Sequence, residues 1–343
     1  MSLSGPSTPP ARSAAWLKVS EESCPSLDEG RSSTSTEGAS YRSGFACLVG
    51  RPNTGKSTLT NALVGTKIAI ASAKPQTTRH AIRGIVTRPY AQLILIDTPG
   101  LHRPRTLLGE RLNDLVRITW SEVEVIGVCL PANERIGPGD NYLVGEIAAL
   151  SKQPALVAIA TKSDLASSAR LTEHLVDIAA LEAKHDITWA HIVPVSAITG
   201  DQLGVLPDLL VSLLPEGPQL YPEGELTDEP EETLVAELIR EAALEGVRDE
   251  LPHSITVAID EMGLRADRTD DKPLLNVYAS IIVERDSQKG ILIGHRGNRL
   301  REIGTAARRQ IEALLATPVY LDLRVKVLRD WQRDPKHLNR LGF

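Results

Sequence analysis

From residue 44 to residue 214, short apolar runs alternate with longer segments whose apolar positions recur every three or four residues. The runs FACLVG, AIRGIVT, AQLILID, VIGVCLPA, PALVAIAT and HIVPVSA are strand-like. The segments KSTLTNALVG, ERLNDLVRITWSEV, GDNYLVGEIAAL, Ala169 to Lys184 and GVLPDLLVSLLP carry helical spacing. This rhythm predicts an α/β domain over residues 43–215, a mostly parallel sheet with helices on both faces. Sheets of that kind hold ligands at the carboxyl ends of their strands, so chemical motifs should fall just after the strands. The pattern then stops. PEGPQLYPEGELTDEPEE has no period and is rich in proline, glycine and acid, which predicts a linker over 216–232. A different order follows: helix TLVAELIREAALEGV, strand HSITVAIDEM, polar turn RADRTDDKP, strand LLNVYASIIVER, helix–loop–helix GILIGHRGNRLREIGTAARRQIEALLA, strand VYLDLRVKVL. That is an α+β unit of order α-β-β-α-α-β, over 233–343. No internal repeat is apparent.

Composition narrows the class. A chain of 343 residues can bury two cores. Residues 1–42 are rich in Ser, Thr, Pro and Gly and carry Glu21, Glu22 and Asp28, a disordered tail rather than a transit or secretory signal. No run of about 18 apolar residues exists, so no transmembrane helix is expected. Cys24, Cys47 and Cys129 lack metal spacing, and the last two fall in apolar runs as small buried residues, which fits a reducing cytoplasm. The net charge of −6 averages over an asymmetry. Residues 289–343 hold 12 Lys and Arg against 5 Asp and Glu, a net of +7, which leaves −13 for the rest. A basic end of this kind is the footprint of a phosphate-binding face.

Between the first strand and first helix stands GRPNTGKST: Gly50, Arg51, Pro52, Asn53, Thr54, Gly55, Lys56, Ser57 and Thr58. GxxxxGK[ST] at a strand-to-helix turn is the phosphate-binding loop, because backbone N–H groups and a helix N-terminus converge there on an anion. Lys56 would reach the outer phosphates, and the Ser57 hydroxyl would hold Mg²⁺. AQLILID ends on Asp97, and Thr98, Pro99 and Gly100 follow. Asp97 belongs to the Mg²⁺ shell, and the Gly100 N–H meets the terminal phosphate. After PALVAIA come Thr161, Lys162 and Asp164. A carboxylate accepts from the two adjacent donors of guanine, whereas adenine would leave it unpaired at a cost of a few kcal/mol. Ser196, Ala197 and Ile198 follow the last strand, where a backbone N–H reaches the guanine carbonyl. All four motifs obey the strand-end rule. A threonine in ASAKPQTTRHAIRGIV should complete the metal shell when the terminal phosphate is present, and Thr77 and Thr78 both qualify. Their neighbours Lys74, Arg79 and His80 read as a solvated face, with aid to charge stabilisation as the alternative. The catalytic set is therefore Lys56, Gly100 and Thr77 or Thr78. Leu101 stands where many GTPases carry a water-orienting glutamine, so hydrolysis should be slow or assisted. This half of the chain resembles the translation-factor-like GTPases. A phosphoryl-transferring kinase is disfavoured, because Asp164 and Ser196 sit where a guanine reader belongs.

In the basic segment, Gly294 and Gly297 bracket His295 and Arg296 between two helices. GxxG in an α-β-β-α-α-β order is the signature of a type II KH domain, whose loop clamps about four nucleotides of single-stranded RNA. Ile293, Gly294, His295, Arg296, Gly297, Arg299 and Leu300 are the expected RNA contacts, beside an apolar groove built from Ile291, Ile293, Leu300 and Ile303. Tyr320 is expected on the core side of its strand. Trp331 is expected either to cover that strand or to touch RNA.

Taken together, GRPNTGKSTLTNALVG, KPQTTRHAIRGI, IDTPGLH, PVSAITG, LPHSITVAIDE, IGHRGNRLREIGTAARRQIE and WQRDPKHLNRLGF are similar to the Era GTPase family, over about residues 43–343. The resemblance implies a monomeric GTP/GDP- and Mg²⁺-dependent switch that binds the 3′ end of 16S rRNA and acts in 30S assembly. It also implies a cytoplasmic protein in peripheral contact with the bacterial inner membrane. An RNA-binding assembly factor with a structural guanine nucleotide is the alternative. One departure is TKSD where the family reads NKxD. Thr161 can replace part of the asparagine's tie to the phosphate loop through its hydroxyl, so nucleotide affinity should fall somewhat while guanine preference holds.

Overall fold

The short apolar runs of the first half become strands, the central ones buried on both faces. The structure is a computed structural model and describes residues 40–70, 78–101, 104–245, 247, 254–265 and 273–343. Nearly all of the N-terminal tail, Cys24, Lys74, Thr77 and most of the polar turn at 265–273 lie outside these residues. Six strands, β1 (Arg42–Val49), β2 (Ile82–Arg88), β3 (Ala91–Asp97), β4 (Val125–Pro131), β5 (Ala155–Thr161) and β6 (Trp189–Val195), form one sheet in the order β2-β3-β1-β4-β5-β6. All neighbours are parallel except β2 and β3, which pair antiparallel across the turn at Arg88 and Pro89.

Alternate residues of the central strands feed two cores. Cys47, Val49, Ile126 and Val128 pack with Val116, Trp120, Leu143 and Ile178. Ala46, Leu48, Val157 and Ile159 pack with Leu59, Leu206 and Leu210. Helices α2 (Leu107–Glu122), α3 (Pro138–Ala148) and α4 (Ser168–His185) therefore cover one face, and α1 (Lys56–Val64) and α5 (Val205–Ser212) the other. Burying one such Leu or Ile side chain contributes about 1.5–3 kcal/mol, which explains why continuous apolar runs specify this layer.

Residues 216–230 lie along the sheet rather than hanging free. Gln92 Oε1 accepts from the backbone N–H groups of Leu220 and Tyr221 at 2.8 Å each, and Leu226 O accepts from Ile85 N at 2.9 Å on β2. Helix α6 (Glu231–Leu244) begins inside the expected linker. It is followed by β7 (Thr256–Leu264), β8 (Leu275–Val283), α7 (Asp286–Ile293), α8 (Asn298–Leu315), β9 (Val319–Val327) and the short α9 (Pro335–Arg340). The second sheet runs β7-β8-β9, with β8 antiparallel to β7 and parallel to β9. On α8, Ile303, Ala307, Ile311 and Leu315 recur every fourth residue and are buried in one core with α6 and the sheet. The α-β-β-α-α-β order is thus the observed one, with α9 added.

The two units share an apolar seam. Leu108 and Leu112 of α2 pack with Ile282, Trp331 and Leu338. No helix among the described residues is long and apolar enough to cross a membrane.

Candidate functional site

The phosphate loop leaves β1 at Gly50 and enters α1 at Lys56. Gly50 is required by close approach: a Cβ there would stand 2.6 Å from Thr54 Oγ1 and 2.8 Å from Cys129 O. Gly100 closes on the loop from β3, where a Cβ would meet Pro52 N at 3.2 Å and Gly50 O at 3.4 Å. The loop is braced from outside by Arg51, which donates to Asp140 Oδ1 at 2.7 Å and to Glu134 Oε2 at 3.0 Å. Lys56 is buried and donates to the carbonyls of Gly50 and Arg51 at 3.1 and 3.0 Å. Burial pushes its pKa down, partly offset by Asp97. Thr98 is fully buried and donates to Leu48 O at 3.2 Å, which fixes the chain as it leaves β3.

Three oxygens meet beside Lys56. Ser57 Oγ donates to Asp97 Oδ2 at 2.7 Å, Thr78 Oγ1 donates to the same oxygen at 3.1 Å, and the two hydroxyls are 3.1 Å apart. Asp97 is fully buried, and its Oδ1 has no hydrogen-bond partner among the described residues. Burial raises its pKa, against the lowering effect of Ser57 and Lys56. A buried carboxylate with an unused oxygen next to two hydroxyls is a hard, all-oxygen donor set, and it fits Mg²⁺. The structure thus brings Thr78 to the site; Thr77 lies outside the described residues.

The base pocket forms at the ends of β5 and β6. A cavity of about 210 Å³ is lined by Gly55, Thr58, Lys162, Asp164, Ala197 and Ile198, with apolar walls from Leu59, Leu165 and Val195. Ser196 is buried and donates to Asp164 Oδ1 at 2.6 Å, while its oxygen accepts from Thr199 N and Ile198 N at 3.1 and 3.3 Å. One hydroxyl therefore ties the loops after β5 and β6 together. Thr161 Oγ1 donates to Thr54 O at 2.6 Å, the tie expected of it, and Lys162 Nζ donates to Asn53 O at 2.7 Å.

One expectation for this half is corrected. Arg79 and His80 do not form a solvated face. Arg79 is 2% exposed and donates to Ile255 O at 2.7 Å, and the His80 ring stacks on Phe343 at 4.9 Å. Both are covered by the second domain, about 170 residues or more away in sequence, which no local pattern reveals.

In that domain the GxxG loop joins α7 to α8. Gly294 has φ +70°, and a Cβ there would stand 2.6 Å from the Arg299 Cβ, so only glycine fits. His295 and Arg296 are exposed at the tip. A groove of about 460 Å³ runs from Gly297 along α8 and β9. Leu300 lines it as expected. Ile303 is instead buried in the core, Ile293 packs against that core, and Ile291 is 56% exposed. Arg299 turns away, donating to Glu245 O and facing Glu302 at 3.5 Å. Arg301, Thr305 and Arg308 line the groove and were missed, although their spacing from Gly297 marks one helical face. Tyr320 is 45% exposed and also lines it, so it is not on the core side. Trp331 is fully buried and donates from Nε1 to Ser254 O at 3.1 Å, which rules out RNA contact in this arrangement.

The family of 50S ribosome-binding GTPases matches residues 45–162, and the KH domain family matches residues 250–332. GTPase Era of a Nocardioides species is 68% identical over 303 residues, covering 88% of this chain and 96% of that protein. GTPase Era of Streptomyces coelicolor is 66% identical, with 88% and 95% covered. Among solved structures, Era in complex with MgGDPNP and nucleotides 1506–1542 of 16S ribosomal RNA superposes with a TM-score of 0.81, at 37% identity over 88% of this chain and 99% of that one. A variant of Aquifex aeolicus Era bound to GDP and AlF4⁻ gives the same TM-score at 36% identity.

Proposed function

The chain belongs to the Era GTPase family, and on that premise we propose a GTP-driven switch whose KH domain grips the 3′ end of 16S rRNA during 30S subunit biogenesis. It is a GTP hydrolase with a KH domain. The observation that carries the reading is the convergence of Lys56, the Ser57–Thr78–Asp97 oxygens and the Asp164–Ser196 pair at the strand ends of one sheet. We assign residues 43–215 to the hydrolytic unit, 216–232 to the connection and 233–343 to the RNA unit.

In this assignment Asp164 selects guanine, and the loop amides from Gly50 to Thr58 cradle the phosphates. Lys56 neutralises charge on the outer phosphates, and the Gly100 N–H meets the terminal one. Ser57, Thr78 and Asp97 would hold Mg²⁺, which when bound supplies further charge neutralisation at the transferring group. Leu101 is buried and has no polar atom with which to aim water. Intrinsic turnover should therefore fall well below the median enzyme rate of about 10 per second. The groove along α8 and β9 takes single-stranded RNA, with Arg296, Arg301 and Arg308 on its phosphates. The family resemblance supports a cytoplasmic monomer with peripheral contact at the inner membrane.

The test compares RNA affinity with a non-hydrolysable GTP analogue, with GDP and without nucleotide. Unequal affinities support the switch. Equal affinities would favour the alternative, an assembly factor whose guanine nucleotide is structural, which Leu101 keeps open. Lys56→Ala should abolish nucleotide binding with the KH domain folded, and Gly294→Asp should abolish RNA binding.

A further inference from the structure

Three consecutive residues, Thr78, Arg79 and His80, leave the metal-site oxygens and run directly into the KH unit. Thr78 Oγ1 touches Ser57 and Asp97 at 3.1 Å. The next residue, Arg79, donates to Ile255 O at 2.7 Å and sets its guanidinium 5.5 Å from the Trp331 ring centroid. Burial and the nearby charge of Arg240 work against its charge, and Glu237 and Glu284 offset part of that cost. His80 stacks on Phe343 with an interplanar angle of 18°, and Phe343 in turn lies 6.0 Å from Trp331. The same end segment is held from the other side of the site. On α2, which follows the Asp97–Gly100 loop, Arg111 donates to Asn339 Oδ1 at 2.7 Å and Phe343 O at 2.5 Å. Leu108 N donates to Gln332 O at 3.0 Å.

We propose that Arg79 is a positioning residue for GTP hydrolysis, which holds Thr78 on Ser57 and Asp97 by anchoring it to Ile255 and Trp331 of the KH unit. The hydrolytic site is then completed by the second domain. A buried guanidinium fixed by a carbonyl and an aromatic face has one geometry, so its neighbour Thr78 loses the freedom a switch threonine has in an open loop. Phe343, stacked on His80, keeps Trp331 in place. The same path carries information outward, because β9 lines the RNA groove and runs on to Trp331 within four residues of its end. By linkage, whatever the RNA does to Thr78 the nucleotide does to the groove. The proposal rests on the assignment of Thr78, made above, to the metal shell.

Single-turnover GTP hydrolysis against Mg²⁺ concentration tests it, in the full chain, for the unsubstituted protein, Thr78→Ala, Arg79→Ala, Arg79→Lys and Phe343→Ala. GDP affinity without Mg²⁺ and the thermal midpoint are recorded alongside. Loss of an outer-shell support typically costs about tenfold, so Arg79→Ala should lose about that in rate and need more Mg²⁺ for half-maximal turnover. Its GDP affinity without Mg²⁺ should be unchanged. Arg79→Lys should recover part of the rate, and Phe343→Ala should move in the same direction as Arg79→Ala. If Arg79→Ala fails to fold, Phe343→Ala decides. Rates and Mg²⁺ dependence within twofold of the unsubstituted protein in the folded Arg79 and Phe343 variants would overturn the proposal. An unaffected Thr78→Ala would instead remove the assignment beneath it.

Discussion

Thr161 shows how one side chain can hold two loops. Its hydroxyl reaches Thr54 O at 2.6 Å from the end of β5, and it is 4% exposed. Thr161→Val keeps the shape and removes the donor, leaving a loop carbonyl without its partner, at a cost of about 1–3 kcal/mol. GDP affinity measured by fluorescence titration should fall roughly tenfold, the equivalent of about 1.4 kcal/mol, while preference for GDP over ADP stays unchanged because Asp164 is untouched. The residues proposed for the phosphate loop and base pocket could be named from the sequence because their chemistry is local: a glycine, a lysine and a carboxylate at fixed offsets from a strand end. Arg79 and His80 were not. Read with their neighbours they are simply polar, and only the arrival of Trp331 and Phe343 makes them interior.

Helices α2 and α6 bear most directly on how the site is supported. Thr106 caps α2, its Oγ1 accepting from Gly109 N at 3.2 Å. Thr106→Ala should lower stability in urea unfolding by about 1 kcal/mol. On α6, Glu237 is buried against Arg240, which donates to its two oxygens at 2.9 and 2.6 Å. Burial alone would raise this carboxylate's pKa, but Arg240, with His80 and Arg79, holds it below the ordinary glutamate value. A depressed carboxylate stabilises the fold above its unfolded pKa, and that contribution is lost as pH falls through the folded one. Thermal midpoints should therefore drop on acidification below about pH 4.3, and Glu237→Gln should make the drop shallower. At neutral pH, Glu237→Ala should be destabilising by about 3 kcal/mol, since it breaks a buried carboxylate–guanidinium pair. Element identities followed the apolar period closely, including α8. What the period missed was which face of α8 served which purpose. Ile303 and Leu300 are both apolar, yet one is core and the other lines the groove.

At the scale of the whole molecule, the charge asymmetry becomes a surface. Arg296, Arg301 and Arg308 are exposed along the loop and groove of the KH unit. Each phosphate neutralised on a single strand contributes about 0.7 to the slope of log affinity against log salt. Arg301→Ala and Arg308→Ala should each flatten that slope by about 0.7 and weaken binding across RNA sequences, measured by titration at several ionic strengths. The existence of two units and their order were legible from the shift in period at the linker. The seam between them was not, because Leu108, Leu112 and Trp331 satisfy apolar rules for their own helix or strand end and declare no partner.

The segment 216–230 has one more consequence. β2 is an outer strand of the larger sheet, and Leu226 accepts from its Ile85 N–H while Asp228 faces Arg83 at 3.1 Å. An uncovered outer strand is a template for pairing with another chain. A GTPase unit trimmed at residue 215 would thus be prone to aggregate, whereas one extended through Asp228 would keep its border sealed and remain dispersed.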